Sequence, residues 1–242
     1  MSQLDNLETK LLEFRESDNS RDPRVLAMLQ ARVVWAAICN KYSGFDETDV
    51  CSVMSDEPIE RTDKDAIADI QRQARVLSSI ETIWRFKDVD FEAFVSIYRS
   101  IYGLGENSSP WRETELVLED GFKVPTAPER IGIEGISIER ILGDANEAVG
   151  VRLDLQIDLA VRLFATIIRV HPFPDGNGRM ARTMVNLYFR KWFLPYIAVP
   201  KVRNDAIWRD ALHVAMDGER RLANKFFRQL LDESLEAVSS LS

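Results

Sequence analysis

The chain has 242 residues, of which 45% are hydrophobic and 29% charged, an ordinary globular composition that excludes disordered and fibrous classes. Its net charge of −8 makes it a poor partner for bulk nucleic acid or an anionic membrane, because both carry phosphate fields that would repel it. With two cysteines (Cys39 and Cys51) and two histidines in all, neither a disulfide framework nor a structural zinc site is expected, and a reducing cytoplasmic setting is the default.

The N-terminus is polar and acidic and does not read as a secretory leader. No apolar run approaches the ~18 residues of a spanning helix, and the nearest, Leu159 to Val170, is broken by Arg162 and Arg169. Asp22 to Tyr42 has apolar residues at helical spacing, ended by Gly44. Ser43 to Asp63 reads as a loop with a short helix, after which Thr62 and Asp63 offer a cap for a helix from about Asp65 to Phe86. Another helix is expected over Phe91 to Tyr102. Residues 103 to 128 then hold six of the twenty Gly and Pro residues, so helix cannot persist there. Within them, Glu115 to Leu118 and Phe122 to Val124 flank an Asp-Gly turn and read as a β-hairpin. Helices resume over Ile138 to Ala148, Leu153 to Val170 and Arg179 to Phe193, then over Asp205 to Val238 in one or two pieces. The expected class is all-α with one small hairpin.

The chemistry concentrates in His171-Pro-Phe-Pro-Asp-Gly-Asn-Gly-Arg-Met-Ala-Arg182, between two strongly periodic helices. Pro172 and Pro174 stop the first helix and force an extended turn. Gly176, Asn177 and Gly178 tolerate positive φ, so successive N–H groups can converge at the next helix's N-terminus into an anion cradle. Arg179 and Arg182 share one face of that helix's first turns, where cations oppose the helix dipole unless a polyanion is bound. From Arg169 to Lys191 there are five basic residues and one acid, Asp175, in an otherwise acidic chain. A carboxylate beside a phosphate cradle is the hard oxygen ligand that Mg²⁺ takes, and His171 can serve as a general base near neutral pH. Together these parts describe phosphoryl or nucleotidyl transfer.

Segment 171–182 matches the Fic-family signature HxFx(D/E)GNGRxxR at every specified position, and the resemblance extends over roughly residues 88 to 238. The resemblance implies an all-helical Fic fold with a β-hairpin flap. It divides the chain into an N-terminal helical extension (1–87), with a regulatory role open to it, and a catalytic domain (88–242). It also implies transfer of AMP from ATP–Mg²⁺ to a Ser, Thr or Tyr hydroxyl of a target protein, releasing pyrophosphate. By motif position, His171 would be the base and Asp175 would hold Mg²⁺. Gly176, Asn177 and Gly178 would form the anion hole, Arg179 would clamp phosphate and Arg182 the γ-phosphate. Phe173 would be a core anchor. The alternatives are transfer of another phosphate-containing group, removal of AMP, and a catalytically quiet partner-binding module.

Leu116, Val117, Leu118, Phe122 and Val124 fall on the family's flap, which docks a protein substrate by strand addition. Trp208 falls where relatives carry an aromatic near the adenine, and equally suits a core tryptophan. Relatives are also restrained by an internal Glu that pairs with the second motif arginine, or by a separate small antitoxin protein. The strict inhibitory pattern is absent, and the nearest candidate is Glu81. It lies on an apolar helical stripe with Ile70 and Leu77, so it needs a cation, for which Arg182 is the natural partner, or else reaches solvent. A homodimer and delivery into a host cytosol are further expectations of the resemblance. His213 and Cys39 read as structural.

Overall fold

The computed structural model describes residues 3–39, 42, 44–60, 63–117, 124, 126–201 and 206–241. Among them are ten α-helices and no extended strand: α1 (Gln3–Glu16), α2 (Pro23–Ile38), α3 (Glu47–Met54), α4 (Lys64–Thr82), α5 (Phe91–Tyr102), α6 (Ile131–Glu147), α7 (Leu153–Val170), α8 (Asn177–Lys191), α9 (Ala206–Met216) and α10 (Arg221–Ser239). Short 3₁₀ turns precede α2, follow α4 and lead into α6.

Aspartates start four of the helices. Asp22, Asp46, Asp63 and Asp90 each accept a backbone N–H from the first turn of α2, α3, α4 and α5, and Pro23 adds a preset φ at the start of α2. Helix α1 and the start of α6 go beyond the sequence pattern, while α2 and α4 end about a turn earlier than it, at Ile38 and Thr82. In helix α1, Leu7, Leu11 and Phe14 are buried at i, i+4, i+7 spacing while Leu12 is exposed; so short a stripe carries little sequence signal. Helix α6 begins at Ile131, seven residues before Ile138, running through Gly132 and Gly135. A Cβ on Gly135 would lie 3.0 Å from the Phe91 ring, so this glycine lets α5 approach closely.

Helix α7 lies at the centre, packed against α6, α8, α9 and α10. Its buried residues (Leu153, Ile157, Val161, Phe164, Ile168 among them) exceed a single stripe, as expected of a helix covered on several sides. Trp208 of α9 is fully buried beside it, stacked on Phe226 at 5.0 Å and edge-on to Phe164 at 5.3 Å. Of the two roles open to Trp208, an adenine contact or a core tryptophan, its complete burial fits the core one.

Helices α4 and α8 run parallel, joined by a carboxylate–guanidinium pair at each end. Asp69 meets Arg179 at 3.3 Å, and Glu81 meets Arg190 at 2.6 Å. The pairs are twelve residues apart on α4 and eleven on α8, which at 1.5 Å per residue gives matched spans of about 18 and about 17 Å. Glu81 also accepts from Arg85 at 2.7 Å, and these two guanidiniums hold its carboxyl below the usual range against the opposing effect of burial. Glu81 therefore does not meet Arg182. The apolar stripe does turn it inward, but onto the arginine at the far end of α8.

Replacing Glu81 with Ala would leave Arg190 buried without its counter-charge and should cost about 3 kcal/mol, read from the urea unfolding midpoint. A loss under about 0.5 kcal/mol would mean that the carbonyls of Ser20 and Leu194, which also accept from Arg190, suffice to hold it.

Candidate active site

The link between α7 and α8 is built from the residues singled out by sequence. His171 caps α7 in the left-handed region (φ 48, ψ 58), which turns the chain sharply out of the helix. Phe173 then plugs into the core: its ring stacks on Tyr98 at 3.6 Å and lies 5.5 and 5.6 Å from Phe94 and Trp111. The Asn177 side chain brackets the same residue. Its Oδ1 accepts the Phe173 N–H at 3.0 Å and its Nδ2 donates to the Phe173 carbonyl at 2.8 Å. Asn177 thus contributes its side chain to loop shape and only its backbone to the cradle.

Gly176 is dictated twice over. Its φ is +78, and a Cβ there would lie 1.6 Å from the Tyr102 hydroxyl oxygen. Helix α8 has no side-chain cap, and the first internal bond at its start runs from Met180 N–H to Gly176 O. The N–H groups of Asn177, Gly178 and Arg179 have no partner among the described residues and project from a helix N-terminus, the arrangement that binds anions.

Asp175 stands at the rim with its side chain 76% exposed. One carboxylate oxygen accepts the Gly176 N–H at 2.6 Å and the other lies 3.3 Å from Arg179. A hydrated carboxylate next to a phosphate cradle fits a hard divalent cation, whose other ligands would be phosphate oxygens and water. No cluster of three metal-ligating side chains exists among the described residues, so Asp175 would be the protein's contribution.

The two arginines of the motif part company. Arg179 is largely buried, its side chain 16% exposed: its guanidinium lies 4.8 Å over the Tyr102 ring and is shared between Asp69 and Asp175. Arg182 is buried, donating through Nε to Val199 O at 2.7 Å and through Nη2 to Pro200 O at 2.9 Å. Burial pushes it down to about 10, so it stays charged at neutral pH. Its Nη1 lies close beneath Gly178, 3.2 Å from where a Cβ would be. Arg182, expected at the γ-phosphate, here holds the 199–200 segment from beneath the cradle.

His171 Nδ1 lies 3.2 Å from the Ile168 carbonyl, which can only accept, so Nδ1 carries the proton and Nε2 keeps its lone pair. Burial lowers its pKa, and the nearby Arg112 lowers it further, against the opposing effects of the Ile168 bond and Asp175. The imidazole is therefore neutral and able to accept a proton.

Sequence reading missed the groups that hold this loop. Arg112 is buried, and its side chain donates to four backbone carbonyls: His171 at 2.6 Å, Thr114 at 2.9 Å, Val170 at 3.4 Å and Thr126. Its own N–H bonds Pro172 O at 3.0 Å. Nothing in the polar run around it distinguishes Arg112 from a solvated arginine. Tyr98 and Tyr102 had a signal, being one turn apart on the apolar face of α5. Tyr98 donates to Asp175 O at 3.1 Å, and burial pushes its hydroxyl up to about 12. Asp69 also sits here, 3% exposed, bonded to Arg72 at 2.9 Å and to Tyr42 at 3.1 Å as well as to Arg179.

Of the hairpin residues, Val124 is buried, Leu116 half-buried and Val117 65% exposed. The Val124 N–H donates to Leu116 O at 3.0 Å, while Leu118 and Phe122 lie outside the described residues.

Residues 91–189, from the start of α5 into the last turn of α8, match the Fic/DOC family. They are a Fic domain. The whole chain, including α1 to α4, also superposes on known Fic folds. It matches a Fic domain-containing signaling protein from Bacteroides thetaiotaomicron with a TM-score of 0.77, at 15% identity over 98% of this chain and 95% of that one. It matches Fic-1 from Caenorhabditis elegans with a TM-score of 0.74, at 18% identity over 99% of this chain and 71% of that one. In sequence it is 26% identical to the protein adenylyltransferase fic-1 of C. elegans over 55% of this chain, and 24% identical to the protein adenylyltransferase Fic of Nematostella vectensis over 64%. These alignments cover 25% and 35% of the relatives' own lengths, so the chain spans about a third or less of the curated relatives it matches.

Gly176→Ala should destabilise the Fic domain by about 2 kcal/mol or more, because it adds positive-φ strain to a steric clash. Combining it with Tyr102→Ala should recover the clash but not the strain, giving a non-additive cycle in urea unfolding. Strict additivity would mean that the hydroxyl does not fix this glycine.

Proposed function

We propose that this Fic domain transfers AMP from ATP to a hydroxyl of a protein target. The observation that carries the reading is the juxtaposition, on one pinned loop, of a neutral imidazole with a free Nε2 and three unpartnered N–H groups at a helix N-terminus. The triphosphate would lie against the N–H groups of Asn177, Gly178 and Arg179, with Arg179 as its clamp and Arg182 beneath. His171 Nε2 would accept the proton of the target hydroxyl as its oxygen attacks the α-phosphorus. The α–β bridging bond would then break and pyrophosphate depart with the electron pair. Asp175 would hold Mg²⁺, which when bound supplies neutralisation of phosphate charge. Leu116, Val117 and Val124, with Leu118 and Phe122, would form the edge to which an extended target segment adds as a strand. The names of the curated relatives support AMP as the transferred group.

The sharpest test is covalent labelling with ATP marked at the α- or the γ-phosphate. The protein should retain only α-label, and His171→Ala should reduce it by at least about 10²-fold, the scale of a lost general base. Retained γ-label would instead favour transfer of a different phosphate group. Because the folded environment lowers the His171 pKa, the acid limb of the rate profile should fall below the ordinary imidazole value of 6.5. A limb above that value would contradict a desolvated base.

The restraint expected of Glu81 fits Asp69 better. Its carboxylate contacts the guanidinium that the triphosphate would need, so nucleotide and Asp69 would compete for Arg179. Asp69→Asn should raise automodification about tenfold, comparable to releasing one charge-assisted bond. A fall would make Asp69 a positioning residue.

A further inference from the structure

At the opposite end of α8 from the motif, the chain closes a second basic recess with a volume of about 270 Å³. Arg15, Arg21, Arg85 and Arg190 line it, with Phe14 and Phe193 among the apolar walls, and no carboxylate is part of the lining. Glu81, behind the wall, is the acid paired with two of these arginines. The four arginines and this one acid leave a net charge of +3 at the recess.

Donors remain for a ligand. Arg190 spends four of its five N–H donors on Glu81 and on the carbonyls of Leu194 and Ser20. Arg15 spends Nε and Nη2 on the carbonyls of Phe193 and Trp192, both at 3.2 Å, leaving Nη1. Burial without a carboxylate partner lowers the Arg15 pKa, the state a bound anion would reverse. Arg85 spends Nη1 on Glu81. The guanidinium of Arg21 has no hydrogen-bond or ion-pair partner among the described residues.

An aromatic ring stands at the rim. Phe193 occupies the position after α8 where a left-handed residue ends the helix, with φ +60, a place that ordinarily takes glycine. It is 53% exposed, and Arg85 lies 5.8 Å over its ring. The strained backbone holds a large apolar side chain outward at the mouth of a cationic pocket.

We infer that this recess binds a compact phosphate monoester carrying a flat apolar group, with the phosphate on Arg15, Arg21 and Arg85 and the ring against Phe193. Forked guanidiniums match phosphate oxygens, and a dianion matches the excess charge better than a carboxylate does. The small volume suits a single ring. The site shares no residue with the anion cradle of the motif.

Titration calorimetry of the full chain with phenyl phosphate tests this, with inorganic phosphate and AMP as parallel arms. Wild type and Arg179→Ala, which disables the motif clamp, should both bind one phenyl phosphate with similar affinity. Arg21→Ala, an exposed change that leaves the fold intact, should weaken binding roughly tenfold, and Arg15→Gln more, with folding checked by circular dichroism. Binding of AMP with the same variant pattern would extend the ligand class to nucleotides. Inorganic phosphate binding as tightly as phenyl phosphate would overturn the role of the aromatic wall. Absence of binding, or binding lost in Arg179→Ala yet unchanged in Arg21→Ala, would overturn the site.

Discussion

Buried guanidinium groups bonded to backbone carbonyls hold together the parts of this protein that are not helix. Arg112, Arg182 and Arg190 are each at most 5% exposed. Arg112 gathers the carbonyls of residues 114, 126, 170 and 171, Arg182 those of 199 and 200, and Arg190 those of 20 and 194. Irregular segments cannot satisfy their own carbonyls, and leaving one buried and unpaired costs about 1–3 kcal/mol. A planar group with five donors can serve several such carbonyls at once. Where a carboxylate is added, as at Glu81, the arginine also ties helix to helix.

This arrangement explains why the motif loop is rigid without being regular. Asn177 fixes Phe173 from the helix side, the aromatic stack around Tyr98 fixes it from the core, and Arg112 fixes the carbonyl of His171 from the segment after α5. Each restraint comes from a different element, so the imidazole and the free N–H groups are set before any ligand arrives. Such preorganisation is what electrostatic catalysis requires, since donors that must first reorient lose their advantage. Gly176 marks where this packing is tightest, because only a residue without a side chain fits under Tyr102.

Much of this was legible in the sequence wherever one period ran long enough. Helices α5 and α7 have the boundaries that the spacing of Phe91 to Tyr102 and Leu153 to Val170 predicts. The motif was readable because its glycines, prolines and arginines are each improbable in that order. What stayed hidden was pairing across long sequence distances. Arg112 bonds carbonyls nearly sixty residues away, and Asp69 meets Arg179 across 110 residues. Glu81 shows the limit well: its inward direction followed from the helical stripe, but Arg182 and Arg190 are two turns apart on one helix. Only the packing of α4 along α8 decides between them. Trp208 likewise could not be divided between core and ligand by type, since a large aromatic serves both.

In the proposed reaction the α7–α8 loop serves as a preformed triphosphate site facing a neutral base. The most direct test is a crystal structure of the full chain with Mg²⁺ and a non-hydrolysable ATP analogue. Phosphate oxygens should then lie on the N–H groups of Asn177, Gly178 and Arg179, with Asp69 released from Arg179 and His171 Nε2 facing the α-phosphorus. An analogue seated elsewhere, with those N–H groups bonded only to water and Asp69 still on Arg179, would contradict this role.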